Sequence, residues 1–168
     1  MRIAWLAALL IACESTPPPT RGPANESISA ILDDWHAAAA ASDEERYFGH
    51  FTRDAIFLGT DVTERWSVLA FRAYSHPHFE AGHGWVMRPV RRAIVVEGDH
   101  AWFDEDLASD SLGALRGSGV LHYDGEQWRI AHYNLAFTIP NERVTAVRAA
   151  IDGGTPTRER ERIDEGQR

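Results

Sequence analysis

The sequence LRGSGVLHYDGEQWRIAHYNLAFT, residues 115–138, decides the fold class because it has the pattern of a β-hairpin. Apolar side chains alternate with polar ones or with glycine on both sides of Asp124-Gly125. This dipeptide is typical of a type I′ turn between antiparallel strands. The pattern therefore predicts two paired strands, Leu115–Tyr123 and Glu126–Thr138.

One face of this predicted hairpin combines apolar and polar side chains. Alternation along the strand places four residues on that face: Trp128, Ile130, His132 and Asn134. Gly117 and Gly119 belong to the same face of the neighbouring strand and leave room for close approach to the backbone. We therefore expect this face to line a cavity, with His132 and Asn134 bonded either to a ligand or as a polar pair within the core.

A second hairpin is predicted upstream, around Gly98-Asp99. Its pairing places Arg92 opposite Glu105 on the more apolar face, and a cross-strand ion pair is the favoured interpretation. A register shift of one residue would bring Asp104 to that face instead, because successive side chains point to opposite sides of a strand. Whether Glu105 or Asp104 faces the cavity stays open at this point.

The first half of the chain is predicted to be mainly helical. An apolar stripe at spacings of three, four and seven residues predicts the first helix, and it contains Ile28, Ile31, Leu32 and Trp35. The other predicted elements are a short helix from the Ser42 capping box to Phe51, a strand Ala55–Thr60, a helix Val62–His76, strands Arg92–Glu97 and His100–Leu107, and a last helix Asn141–Ile151. Helices segregated from an antiparallel sheet indicate an α+β fold.

Composition and charge argue against several classes of function. With 17 basic and 25 acidic residues the formal charge is −8, which repels a phosphate backbone, so we expect no nucleic-acid partner. A single cysteine allows neither an intrachain disulfide nor a cysteine-based zinc site. His76, His78 and His83 are interrupted by Pro77 and form no zinc-binding helix motif, so no metal is expected. We also expect no cofactor, because the sequence has no Gly-rich phosphate loop.

The first residues have the pattern of a secretion signal. Arg2 precedes an apolar run, Ile3–Ile11, that is too short to span a bilayer. The run ends in Leu10-Ile-Ala-Cys13, which resembles the lipobox of bacterial lipoproteins and implies a diacylglycerol on Cys13 after cleavage behind Ala12. The protein would then be lipid-anchored in the cell envelope, facing the periplasm or the exterior. An ordinary secretory signal with a coincidental cysteine is the alternative.

The same patterns predict the domain organisation. The predicted segments are a signal peptide (1–12), a Pro-rich tether (13–24), one folded domain (25–152) and a disordered charged tail (153–168).

Several motifs in the domain together resemble the SnoaL-like group of the nuclear transport factor 2-like superfamily. They are FLGTD (57–61) followed by Glu64 and Trp66, AWFDE (101–105), RGSG (116–119), and WRIAHYNL (128–135) running into PNE (140–142). The resemblance covers about Ser27 to Ile151. It implies a cystatin-like cone, in which a strongly curved antiparallel sheet wraps around N-terminal helices and encloses a cavity. Members of this superfamily include isomerases, cyclases, dehydratases and binding modules, so the fold does not give the reaction.

The resemblance and the predicted faces together nominate the site residues. In the superfamily's steroid isomerases and polyketide cyclases an Asp serves as general base, which implies Asp61 as the catalytic base with His132 assisting. Asp61-x-x-Glu64 is equally a capping pattern for the third helix. The candidate ligand-binding residues are Trp66, Phe103, Glu105, Arg116 and Asn134.

Two functions follow from these candidates. The preferred one is a binding domain that holds a small apolar molecule or a partner. The alternative is an isomerase- or cyclase-like enzyme with a cavity carboxylate, Asp61 or Glu105, as base and with His132 or Asn134 assisting. A homodimer is expected through an apolar outer sheet face. The residues assigned to that face are Trp102, Val120, Tyr133 and Leu135.

Overall fold

The computed structural model describes residues 24–153. The elements in chain order are α1 (Ala24–Ala40), α2 (Glu44–Gly49), β1 (Phe51–Leu58), β2 (Arg65–Ser67), α3 (Val68–Glu80), β3 (Arg88–Glu97), β4 (His100–Ser109), β5 (Gly113–Tyr123), β6 (Trp128–Phe137), a 3₁₀ turn (Asn141–Arg143) and α4 (Val144–Gly153). The predicted signal peptide, Cys13, the Pro-rich tether and the charged tail lie outside the described residues, apart from Ala24 and Gly153.

The six strands form one curved, unclosed sheet in the order β2-β1-β6-β5-β4-β3. Neighbouring strands are antiparallel except for β1 and β6, which are parallel. The N-terminal helices pack against the concave face. This arrangement confirms the predicted α+β class and the cone-shaped sheet wrapped around helices.

The core lies between α1 and the concave face of the sheet. The stripe of α1 buries Ile28, Leu32 and Trp35, as its spacing predicts. The Trp35 ring meets the ring of Tyr133 from β6 edge-on, with 4.7 Å between centroids. On its other side Trp35 stacks on Tyr47 of α2 at 5.2 Å. Aromatic rings therefore fill the centre of the cone and leave little space there.

The β3–β4 hairpin has the predicted register. Ile94 pairs with Phe103, and Arg92 pairs with Glu105. Glu105 is fully buried on the concave side, whereas the Asp104 side chain is 46% exposed. Of the two carboxylates, Glu105 is therefore the one on the concave side, where it is enclosed in the core.

The second hairpin differs from the prediction in two ways. Its connection spans residues 124–127, because the Asp124 carboxylate accepts hydrogen bonds from the backbone N–H groups of Glu126 and Gln127. Within β6, Ala131 forms a β-bulge, since Leu121 pairs with Ile130 but Val120 pairs with His132. One extra residue in a strand turns every later side chain of that strand to the opposite face of the sheet.

The bulge overturns several face assignments. The predicted cavity position of His132 and Asn134 is wrong, because both now belong to the convex side, where they are only half-buried. The predicted outer-face position of Tyr133 and Leu135 is wrong for the same reason, and both pack on the core. The convex face is thus less apolar than expected, and the homodimer stays a prediction.

The helical boundaries also need correction. The helix predicted over Val62–His76 begins instead at Val68, where Ser67 is the N-cap and accepts a hydrogen bond from the Ala70 N–H. It continues through Pro77 to Glu80, whereas the prediction ended it before the proline. The second helix is capped by Asp43 rather than by Ser42, and Phe51 begins β1.

A buried ionic cluster joins α1 to three strands of the sheet. Glu105 of β4 receives two hydrogen bonds from Arg92 of β3, from Nε at 3.0 Å and Nη2 at 2.8 Å. Its other oxygen accepts from His36 of α1 at 2.8 Å and from the Tyr133 hydroxyl of β6 at 3.3 Å. Every lone pair of the carboxylate is therefore directed at a donor, as a buried charge requires.

Two further hydrogen bonds of Arg92 extend this cluster along α1. Nη1 of Arg92 donates to Oγ of Ser29 at 2.9 Å and to Oδ1 of Asp33 at 2.9 Å. Gly117 supplies space, because a Cβ at this position would overlap the Tyr133 hydroxyl and press on the Glu105 carboxylate. The glycine predicted to leave room in the sheet thus accommodates a core hydrogen bond.

The cluster keeps Glu105 ionised. Burial alone would raise the pKa of its carboxyl, but the hydrogen bond and charge of His36 and the charge of Arg92 outweigh burial and lower the pKa. The pKa of Tyr133 is raised well above its usual value by burial and by the neighbouring Glu105 charge. Tyr133 is therefore a hydrogen-bond donor in this cluster and not an anion.

We expect Glu105→Gln to destabilise the domain by about 3 kcal/mol, because it leaves the buried Arg92 charge without its counterion. Urea unfolding measures the loss of free energy. Asp104→Asn on the same strand is the matched control and should cost less than about 1 kcal/mol, since its pair with Arg91 is solvent-exposed.

Wild type and Glu105→Gln together also test how the free energy of unfolding depends on pH. Because the folded-state pKa of Glu105 is lowered, its contribution is fully present above the unfolded pKa of about 4.5 and is lost as the pH falls through the folded value. The stability difference between wild type and Glu105→Gln should therefore shrink below pH 4.5. A difference that stays constant from pH 7 to about pH 3 would contradict an ionised, stabilising Glu105.

Candidate functional site

A cavity of about 190 Å³ opens between α3 and the end of β1, where the cone is not filled by its own side chains. The walls come from six parts of the chain. The apolar lining residues are Phe57, Trp66, Phe71, Tyr74, Trp85, Met87, Leu112 and Leu135, and the remaining ones are Gly59, Thr60 and Glu64. We call this cavity the mouth pocket.

Aromatic rings form most of the wall of the mouth pocket. Trp66 of β2 stacks nearly parallel to Phe71 of α3, with 5.4 Å between centroids and 11° between planes. Tyr74, one turn further along α3, lies 4.6 Å from Trp66. The Phe71 ring also stacks on Phe57 of β1 at 3.9 Å. The rings thus pack against one another, so the wall is built by contacts among the protein's own side chains.

The turn between β1 and β2 supplies the polar edge of the pocket. The Gly59 N–H donates to the Glu64 carbonyl at 2.9 Å, and the Glu64 N–H donates to the Asp61 carbonyl at 3.0 Å. The Glu64 carboxylate folds back and accepts from the Asp61 N–H at 3.2 Å. A Cβ at Gly59 would overlap this carboxylate, so the glycine allows Glu64 to lie over the turn.

Asp61 lies in this turn but not in the lining of the mouth pocket. Its side chain is exposed and accepts hydrogen bonds from the N–H and the hydroxyl of Thr63 at 2.8 and 2.6 Å. These bonds lower the pKa of the Asp61 carboxyl. A general base acting near neutral pH needs a pKa raised toward that range, which this setting does not provide.

Two other nominated residues lie on the convex side of the sheet. Asn134 of β6 pairs with Leu58 and Ser118, opposite the concave face. Arg116 is solvent-exposed and forms a salt bridge to Asp106 at 3.0 Å. Asn134 and Arg116, like His132, therefore do not line the mouth pocket.

Phe103 and Glu105 lie inside the cone, behind the mouth pocket. Both are buried, and Phe103 stacks on Tyr133 at 6.1 Å. The Tyr133 ring also stacks on Phe57, with 5.6 Å between ring centroids, and Phe57 lines the pocket. Glu105 is therefore separated from the pocket by a layer of aromatic rings. Of the nominated residues, Trp66 is the one that lines the pocket.

The sequence contained signals for some residues that were not nominated. His36 continues the spacing of four residues set by Ile28 and Leu32, which places it on the buried side of α1. Glu64 belongs both to the capping pattern and to the motif that carries the family resemblance, but neither pattern indicates that its side chain lines a pocket. Trp85 follows a glycine in an irregular segment, where no periodicity indicates which way a side chain points.

Two further hollows are present in the described part of the chain. One, of about 260 Å³, lies between the first turn of α1 and the β5–β6 connection, with Ser27, Glu126 and Gln127 in its lining. The other, of about 590 Å³, lies on the convex side near Arg116 and Phe137. Neither has the concentration of aromatic side chains found at the mouth pocket.

Residues 24–153 contain neither a metal-binding cluster nor a membrane-spanning helix. There, no three histidine, cysteine or carboxylate side chains lie close enough together to hold a metal ion. His76, one of the three neighbouring histidines, instead contacts Glu44 at 2.6 Å. No helix in that range is long and apolar enough to cross a bilayer.

Solved structures share this fold at low sequence identity. A cystatin-like domain of unknown function from Nostoc punctiforme superposes with a TM-score of 0.62 at 14% identity, over 88% of this chain and 97% of its own. A nuclear transport factor 2-like protein of unknown function from Pseudomonas putida gives a TM-score of 0.58 at 14% identity, over 70% and 88% of the two chains. A provisionally named scytalone dehydratase from Novosphingobium aromaticivorans gives 0.57 at 11% identity, over 68% and 84%.

Comparison at the level of sequence gives a narrower result. No curated protein matches the chain. The family profile of the SnoaL-like domain matches residues 28–140, which span α1 to the end of the sheet and include both the ionic cluster and the mouth pocket. The chain therefore belongs to the SnoaL-like domain family.

Proposed function

We propose that this protein is a binding module whose site is the mouth pocket and whose ligand is a small, largely apolar molecule. The observation that carries the proposal is the aromatic wall built by Trp66, Phe71 and Tyr74. Concave, mainly apolar sites with few polar groups are the usual form of small-molecule pockets. The mouth pocket has this form, with Glu64 as its charged group.

The size of the pocket restricts the ligand. Its volume of about 190 Å³ allows one six-membered ring with a small substituent, given that a cavity of roughly 150 Å³ accepts benzene. Exposed Leu112, on the β4–β5 connection, lies at the rim and has freedom to adjust to such a molecule. A ligand of the size of a steroid would extend well outside the pocket.

The isomerase- or cyclase-like alternative has less support from the geometry. Of the two carboxylates that the sequence nominated as a base, Glu105 is enclosed and ion-paired, and Asp61 is exposed with a lowered pKa. Neither combines access to the pocket with the raised pKa expected of a catalytic carboxyl. The provisional name of the Novosphingobium relative supports dehydratase chemistry only for that protein.

We also propose that the domain is tethered in the cell envelope through a lipid on Cys13. Support comes from the Leu-Ile-Ala-Cys sequence that closes a short apolar run and from the Pro-rich stretch that follows it. A tether of this kind would hold the binding pocket close to a membrane, facing the periplasm or the exterior.

The pocket proposal predicts that toluene binds to the folded protein and that Trp66→Ala weakens binding about tenfold, through loss of an aromatic contact surface. Dissociation constants are measured by ligand-detected NMR on protein whose melting temperature shows that it is folded.

Trp102→Ala is the matched control, because it removes a half-exposed tryptophan from the convex side of the sheet. It should leave toluene binding unchanged. If Trp102→Ala weakens binding as much as Trp66→Ala does, the ligand site is not the mouth pocket.

The envelope proposal predicts a lipid-modified N-terminus. The intact mass of protein extracted from membranes should correspond to a chain that begins at Cys13 and carries a diacylglycerol and an acyl group. Cys13→Ser should release the protein into the soluble fraction. An unmodified cysteine, or cleavage at another bond, would refute the lipid anchor.

A further inference from the structure

We infer that the ligand of the mouth pocket carries a positive charge, as an amine or a quaternary ammonium group held by Glu64 and the aromatic wall. This inference rests on the proposed binding function and adds the chemical class of the ligand. It depends on three features of the pocket: its charge, the placement of its carboxylate and the faces of its rings.

The charge in the lining of the mouth pocket is negative. Glu64 is the single charged side chain among the lining residues in the described part of the chain. Within residues 24–153 no arginine or histidine forms a salt bridge with it, whereas Asp106, Asp110 and Asp124 are each paired with an arginine. A pocket with an unneutralised carboxylate repels anionic ligands and favours cations.

The backbone fixes the Glu64 carboxylate at the pocket rim. The hydrogen bonds between Gly59, Asp61 and Glu64 close the turn, and the missing side chain of Gly59 leaves the space that the carboxylate occupies. The Glu64 side chain is only half-buried, and its carboxylate, which accepts a hydrogen bond from the Asp61 N–H, remains open to a ligand. A neutral ligand would desolvate this carboxylate without compensating it.

The aromatic wall is suited to the same class of ligand. The faces of aromatic rings carry negative potential, and Trp binds cations better than Phe or Tyr. Trp66 is half-buried at the pocket and follows Glu64 by two residues, and Tyr74 lies 4.6 Å from it. An ammonium group at the rim can therefore contact the carboxylate while its apolar substituents lie on the rings.

The charge of the whole protein acts in the same direction. The formal charge of −8 produces a negative potential that attracts cations from solution and repels phosphorylated or carboxylated metabolites. This long-range effect weakens with added salt, whereas the contact with a half-buried Glu64 is screened less.

Two probes of nearly the same shape test the charge directly. Phenyltrimethylammonium and tert-butylbenzene differ in the replacement of a quaternary nitrogen by carbon, and both have one ring and three methyl groups. We expect the wild-type protein to bind the cation at least about tenfold more tightly than the neutral compound, as measured by NMR titration. Glu64→Gln should remove most of this preference, because the cation binds more weakly while tert-butylbenzene binds as well as before or better.

Asp61→Asn is the matched control, because it neutralises an exposed carboxylate of the same turn whose side chain is directed at Thr63. It should preserve the preference for the cation. Trp66→Ala should weaken the binding of both probes.

The possible results separate the two proposals. Equal binding of both probes to the wild type, or a preference for the cation that survives in Glu64→Gln, would overturn the inference while the apolar binding function stands. A loss of preference in Asp61→Asn as large as in Glu64→Gln would assign the effect to overall charge and would also overturn it. If neither probe binds, the proposed function fails together with the inference.

Discussion

The fold depends on neutralising one fully buried carboxylate. Glu105 is fully buried in the middle of strand β4, where an unpaired charge would cost several kcal/mol, roughly as much as a small domain has to lose. Arg92, His36 and Tyr133 satisfy it from β3, α1 and β6. Apolar packing has no preferred direction, whereas these hydrogen bonds do, so the cluster fixes how α1 sits across the sheet.

The position of α1 determines what remains of the cavity. With His36 bonded to the sheet, the neighbouring Trp35 is placed against Tyr133 and closes the interior of the cone. The remaining space lies at the edge where β1, β2 and α3 meet. Under the proposed binding function, the ligand would contact the aromatic rings and the Glu64 carboxylate of that edge and not the ionisable residues of the core.

Features that depend on local sequence patterns were predicted correctly. Features that depend on pairing between strands distant in sequence were not. Alternation around Gly98-Asp99 was enough to place Glu105 opposite Arg92. The faces of β6 could not be read in this way, because the bulge at Ala131 arises where the strand pairs with β5 on one side and with β1 on the other. The third helix was predicted to follow the Asp61 capping pattern, but residues 65–67 pair with β1 as strand β2, so the helix begins after Ser67. The pocket assembles residues from six segments, and single-sequence patterns do not show which segments meet.

The most direct test of this account is to follow the indole N–H signals of the five tryptophans within residues 24–153 by NMR during titration with phenyltrimethylammonium. Trp66 and Trp85 line the mouth pocket, Trp35 lies in the closed core, Trp128 borders the hollow beside α1, and Trp102 is on the convex face. The account predicts that the signals of Trp66 and Trp85 shift while the other three stay in place. A shift of Trp35 would mean that the interior is accessible, and a shift confined to Trp128 or Trp102 would place the binding site elsewhere; either result would contradict a ligand site at the mouth pocket.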